Sequence, residues 1–109
     1  MQNKYMSLLG LARRAGRLSM GHDTVMEAVK KKKSKLILFT SDTSERLREE
    51  ITGEVERHCE EVRIRIIGET MEEIHYLLGY WAGVISVNDI NFAVRILELT
   101  QQEENAYGD

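Results

Sequence analysis

The sequence predicts an α/β sandwich, with helices on both faces of a small sheet. Three observations predict it. Segments of helical and of strand periodicity alternate along the whole chain, in the order α-β-α-β-α-β-α-β-α. The run Lys35-Leu36-Ile37-Leu38-Phe39-Thr40 is apolar on successive residues, as expected of a strand covered on both sides. The links between segments are short and rich in turn residues, which leaves no room for an irregular domain. At 109 residues the chain is long enough for one core, so a single domain is expected over 1–100. The acidic stretch 101–109 is expected to be a frayed tail.

Each element follows from its own pattern. Leu8, Leu9, Leu11, Ala12 and Ala15 make one face of a helix from about Asn3 to Ala15, stopped by Gly16. Arg17 to Met20 reads as a short edge strand. Gly21 then opens a helix whose core side is Val25, Met26, Ala28 and Val29. Thr24 and Glu27 match a capping box, with a helix start two residues earlier as the alternative. After the apolar strand, Ser41-Asp42-Thr43-Ser44 is turn and N-cap chemistry. Leu47, Ile51, Val55 and Cys59 recur every four residues, which marks an amphipathic helix with Gly53 inside it. Val62, Ile64 and Ile66 alternate with Arg63 and Arg65, which predicts a strand with one buried and one basic face. Met71, Ile74, Leu77 and Leu78 form a helix ended by Gly79. Val84-Ile85-Ser86-Val87 is a strand, and Asn88-Asp89 caps a last helix carrying Ile90, Phe92, Ala93, Ile96, Leu97 and Leu99.

Charge separates along the chain. Residues 1–35 hold nine basic and two acidic residues, a net +7, and the remainder holds six basic against sixteen acidic, a net −10. The modest overall charge of −3 therefore hides a strongly dipolar molecule, which points to a charged partner. Four consecutive lysines, Lys30 to Lys33, close the Gly21 helix and exceed what a helix dipole needs. A helix start opened by glycine leaves backbone N–H groups free for phosphate. The lysine corner, with Lys31, Lys33 and Lys35, adds attraction to phosphate that does not depend on base sequence. The acidic series Glu45, Glu49, Glu50, Glu54, Glu56, Glu60 and Glu61 reads as a solvated helix face, and Arg63 and Arg65 as surface partners of nearby glutamates.

Several function classes are excluded by what is missing. There is no glycine-rich dinucleotide or Walker loop, and no Ser/His/Asp or Cys/His set that the element order would assemble. Cys59 has glutamate beside it, which disfavours a thiolate. His22, His58 and His75 share no ligand spacing. No catalytic residue, metal or cofactor is therefore expected. No apolar run spans a membrane, residues 1–6 show no signal-peptide apolar stretch, and the single cysteine forms no internal disulfide, so the expected compartment is the cytoplasm.

The order of residues carries a resemblance. Leu9-Gly10-Leu11-Ala12-Arg13-Arg14-Ala15-Gly16-Arg17, Gly21, Ala28-Val29, Lys35-Leu36-Ile37-Leu38 and Ser41-Asp42 resemble the kink-turn-binding ribosomal-protein superfamily. Val84-Ile85-Ser86-Val87-Asn88-Asp89 and Phe92-Ala93 are similar to its last strand and helix. The resemblance implies a three-layer α/β/α sandwich with a four-stranded mixed sheet, and structured RNA, above all ribosomal RNA, as partner. It implies that the helix opened by Gly21 enters the RNA groove, with His22, Asp23 and Thr24 at base edges or sugars. It implies basic positions at Arg17 and Lys35, and a loop over extruded bases at Tyr80-Trp81-Ala82-Gly83, where Trp81 would stack. The chain departs from the pattern of RNA-binding members at three places. Asp23 replaces asparagine, Thr24 replaces glutamate, and Glu27 stands where a lysine is usual. The last departure puts a carboxylate where phosphate would lie. It motivates the alternative expectation of a protein-interaction module that kept the fold and lost kink-turn binding, with the acidic C-terminal part meeting a protein partner.

Overall fold

Burial on both faces makes the central strands. The structure, a computed structural model, describes residues 4–58 and 61–108, the side chains of 101–108 excepted. The elements are α1 (Lys4–Arg14), β1 (Leu18–Met20), α2 (His22–Lys30), β2 (Leu36–Phe39), α3 (Glu45–His58), β3 (Arg63–Ile66), α4 (Met71–Leu78), β4 (Val84–Val87) and α5 (Ile90–Gly108). The strands form one mixed sheet in the order β1-β4-β2-β3. β2 runs parallel to β3, and β4 runs antiparallel to both β1 and β2. Every residue of β2 and of β4 is buried, because these two strands lie inside the sheet with helices above and below.

The pleat divides the core in two. Leu36, Leu38, Ile85 and Val87 pack with Tyr5, Met6 and Leu9 of α1, with Ile74 and Leu78 of α4, and with Ala93, Ile96 and Leu99 of α5. Ile37, Phe39 and Val84 point the other way, onto Val25 and Val29 of α2 and Ile51 and Val55 of α3. The three-layer sandwich with a four-stranded mixed sheet expected from the sequence is what the chain adopts. Cys59 and Glu60 lie outside the described residues, as do the side chains of the acidic stretch 101–109.

Four local readings are corrected. Thr24 and Glu27 do not form a capping box. The helix starts at His22, so Thr24 is already inside it, and its hydroxyl donates back to the Met20 carbonyl at 2.5 Å. A capping box exists instead at Thr70 and Glu73, where each side chain meets the other residue's backbone N–H. Ile66 is not buried. β3 is an edge strand, and Ile66 at its end is 55% exposed while Arg65 is half-buried. Neither Arg63 nor Arg65 forms an ion pair with a glutamate among the described residues. Glu54 leaves the solvated face of α3 and is buried, paired with Arg57 and with His58 at 3.2 Å. The Arg57 hydrogen bond holds the Glu54 carboxyl below its usual range.

The two threonines separate the alternatives. Thr70→Ala is expected to lower stability by about 0.5–2 kcal/mol, because it removes a true cap. That is a fall of several degrees in melting temperature. Thr24→Ala is expected to be near neutral, since alanine's better helix propensity offsets an exposed hydrogen bond. Thermal unfolding by circular dichroism checks both, and an equal loss for the two variants would place a cap at Thr24 after all.

Candidate nucleic-acid interface

Gly21 joins β1 to α2 at φ 94° and ψ 163°, a conformation that an L side chain rarely adopts. Its N–H donates to the Val84 carbonyl at 3.0 Å, so the start of α2 is tied to the central strand. No side chain caps this end. The first N–H groups of α2 therefore face outward with the positive end of the helix dipole. A Cβ at Gly21 would lie 3.7 Å from the Tyr80 ring, which places Tyr80, in the loop before β4, directly beside the helix start.

A groove of about 570 Å³ runs along one side of α2 beside β1 and the end of β4. Five residues expected at a site line it together: Arg17, Thr24, Lys31, Lys33 and Lys35. Glu27 lines it as well. Its carboxylate accepts from Lys31 Nζ at 2.5 Å, one turn along the helix. This hydrogen bond, with the charges of Lys31 and Lys33, holds the Glu27 carboxyl below its usual range. Lys31 is thus neutralised within the groove, while Arg17, Lys33 and Lys35 keep their charge uncompensated by any ion pair among the described residues.

Two floor residues are absent from the sequence reading of the site. Ser19 and Asn88 line the groove, with Asn88 Nδ2 donating to Ser19 Oγ at 2.9 Å. Ser86 donates to Asn88 Oδ1 at 2.7 Å, and its hydroxyl lies 2.7 Å from that of buried Ser34. Asn88 was legible only as part of a helix cap. Asp89 does the capping, accepting from the N–H groups of Asn91 and Phe92 at 2.8 and 3.0 Å. Asn88 is released to organise the floor. No periodicity signals that role, because the partners lie on three different strands and loops.

The helix-start residues separate. Asp23 is almost fully exposed, with its side chain 98% accessible. His22 turns toward α3, its Nε2 lying 2.6 Å from Glu50 and its Nδ1 2.8 Å from Asp23. Both ring nitrogens are engaged, so His22 ties the helix start to α3. Trp81 does not line the groove. It stacks on His75 of α4, with ring centroids 4.7 Å apart and planes 15° apart, and stays 58% exposed. His75 fixes the indole in place instead of the core swallowing it, which leaves an oriented aromatic surface in the Tyr80–Trp81 loop.

His22 responds to pH in a defined direction. The hydrogen bond with Asp23, then that with Glu50, raises its pKa above 6.5. A raised folded-state value gives stability that is fully present below the unfolded value and is lost as pH climbs through the folded one. Exposure keeps the effect to about 0.2–1 kcal/mol. An NMR titration of the imidazole is expected to show a midpoint above 6.5, lowered most by Asp23→Asn and less by Glu50→Gln. A wild-type midpoint at the free-histidine value would rule out the clamp.

Comparison with known proteins agrees with this architecture. Residues 3–92 match the model of the Ribosomal protein L7Ae/L30e/S12e/Gadd45 family. The chain is 27% identical over 100 residues to a protein of Enterococcus faecium named RNA-binding protein YlxQ, covering 92% of this chain and 94% of that one. A solved structure of a protein of unknown function from Bacillus halodurans superposes with a TM-score of 0.82 at 25% identity, covering 92% of this chain and 99% of the other. With its fold, glycine-led helix and matched length, the chain belongs to the Ribosomal protein L7Ae/L30e/S12e/Gadd45 family.

Proposed function

We propose that this protein binds structured RNA without catalysis, in the cytoplasm and in association with ribosomal RNA, and that a sharply kinked strand is its preferred form. The observation that carries the reading is the groove itself. Arg17, Lys33 and Lys35 surround a polar floor along α2, whose uncapped start lies at the other end of the helix. Such a surface holds a phosphate backbone through charge and through N–H groups. The RNA-binding name of the Enterococcus faecium relative supports the same class of ligand.

Each residue then has a task set by its chemistry. Gly21 allows close approach of a backbone. Asp23, exposed and acceptor-only, suits the amino and imino donors of a guanine edge. Thr24 has spent its donor on Met20, so it acts as an acceptor only. Arg17, Lys33 and Lys35 position phosphates, and Lys31 joins them only where a phosphate displaces Glu27. His22 contributes by holding the helix start against α3. Trp81, backed by His75, offers a face for an unpaired base, with Tyr80 bridging that loop to Gly21. Glu27 favours a second reading, a protein-interaction module that has lost kink-turn affinity, because its carboxylate competes with phosphate for Lys31.

Salt dependence tests the groove. With Lys31 neutralised, about three cations act on phosphate, so the slope of log affinity against log salt is expected to be about −2 to −3. Glu27→Gln should steepen it by about one. Glu27→Lys should tighten binding to a kink-turn RNA about tenfold at low salt, while Glu56→Lys on α3 should leave it nearly unchanged. Gel shifts across a salt series measure all four quantities. Equal gains at the two positions would show bulk charge alone at work, and no shift with any structured RNA would favour the interaction module.

Trp81→Ala should weaken binding of an RNA with an extruded base by about 1–3 kcal/mol, roughly five- to 150-fold. The same variant should bind an RNA abasic at that position as wild type does. Fluorescence titration with the two RNAs checks this, and equal losses on both would mean that Trp81 does not stack on the base.

A further inference from the structure

The edge of the sheet farthest from the basic groove is open, and its backbone polarity can be read from one hydrogen bond. Ile67 N–H donates to the Phe39 carbonyl at 2.8 Å, so residue 67 faces β2. Backbone groups alternate sides along a strand, which turns the N–H and C=O of Ile64 and Ile66 outward, away from β2. The Arg65 guanidinium reaching the Ile64 carbonyl at 3.3 Å agrees with that direction. β3 is the last strand in the sheet order, so no described strand uses these four groups, and among the described residues only the Ile64 carbonyl has a partner, the Arg65 guanidinium that an added strand would displace.

Side chains above and below the edge differ in charge. Ile64 and Ile66 line a groove against α3, together with Glu45, Glu49 and Glu56; Arg48 also lines it, its guanidinium held by the Thr43 carbonyl, so the acidic groups outnumber the one cation. None of the three carboxylates forms an ion pair among the described residues. Arg63 and Arg65 alternate with the isoleucines and so lie on the opposite face of the strand. The edge is therefore apolar and acidic on one face and basic on the other. A second copy fits it badly. Antiparallel pairing of two β3 edges about a two-fold axis would set Arg63 and Arg65 against their own copies, and the α3 carboxylates against theirs. The arginines act as guards against self-pairing.

We propose that β3 accepts an extended segment of a different protein as a fifth strand. The segment presents apolar and basic side chains to Ile66 and the α3 glutamates, and acidic ones to Arg63 and Arg65. Backbone hydrogen bonds to Ile64 and Ile66 supply attachment, and the alternation of charge supplies register and specificity. Because β3 and β1 are opposite edges of the sheet, the basic groove stays free while this edge is occupied.

The test uses the full-length chain, labelled with nitrogen-15, and two synthetic peptides of alternating pattern. One places valine and lysine on one face and glutamate on the other; its counterpart exchanges lysine and glutamate. The first is expected to shift the Ile64 and Ile66 amide resonances and slow their hydrogen exchange, and the second to bind at least about tenfold more weakly. Glu49→Lys combined with Glu56→Lys should reverse that preference. Ile66→Pro removes an outward N–H that the sheet does not use, so it should weaken the first peptide at least about tenfold with the fold retained by circular dichroism. No change at these amides at millimolar peptide would overturn the proposal, as would equal binding of the two peptides. A dimer paired through this edge in sedimentation would overturn the choice of occupant.

Discussion

β4 is the strand on which the rest of the surface depends. It lies between β1 and β2, buried throughout; its start holds the opening of α2 and its end holds residues of the basic groove. At its start, the Val84 carbonyl accepts from Gly21 and sets where α2 begins. At its end, the Val87 carbonyl accepts from Lys35 at 2.8 Å, and Asn88 N–H donates to the Arg17 carbonyl at 2.8 Å. Two cations of the groove are thus fixed by backbone hydrogen bonds to one strand and its exit. Their placement costs no side-chain ordering beyond their own rotamers. The same strand carries Ser86, whose buried hydroxyl anchors the Asn88 side chain on the groove floor. A change that disturbs β4 therefore reaches the helix start, the floor and the cations together.

Much of this was legible in the chain, and what was not has a common cause. β2 and β4 announce themselves because burial on both faces leaves no choice of residue. The three-layer arrangement follows from alternating periods, and the lysine corner from composition. The end of β3 was misread because a two-residue alternation cannot say how far the covering helix reaches, and α3 leaves Ile66 largely uncovered. The Thr24 capping box was misread because Thr70 and Thr24 carry the same local spacing to a glutamate. The earlier helix start, which the sequence offered as the alternative, is the one adopted, with Gly21 at positive φ and bonded to a strand sixty-odd residues away. Tyr80 against Gly21 and His22 against Glu50 are contacts between elements distant in sequence, for which no spacing rule exists.

The two open edges of the sheet give the dipolar charge a structural meaning. β1 forms one edge and contributes Leu18 and Ser19 to the basic groove. β3 forms the other and lies under the acidic helix α3. Lysines and an arginine gather at the β1 margin, and α3 glutamates line a groove at the β3 margin. A molecule so polarised orients itself toward a polyanion during encounter, with its acidic margin facing away. On the proposed reading, repulsion by that margin would disfavour wrapping of a phosphate backbone around the β3 side.

Glu27 sharpens this confinement at short range. A lysine at its position would add charge to a groove that already holds four basic residues, and affinity for any phosphate backbone would rise with little regard to shape. The carboxylate instead occupies Lys31 through a 2.5 Å hydrogen bond. A ligand gains Lys31 only by displacing an intramolecular partner, and it leaves Glu27 unpaired when it does. Straight duplexes, which touch the groove with few phosphates, recover little from that exchange. If RNA binds as proposed, a bent strand that also reaches the Tyr80–Trp81 loop would draw on stacking, which the exchange would not weaken. The ion pair thus lowers affinity for all ligands but lowers it most, as a fraction of the total, for those that bind by charge alone. On the proposed reading, weak electrostatics in the groove and an oriented indole outside it would together favour shape over charge.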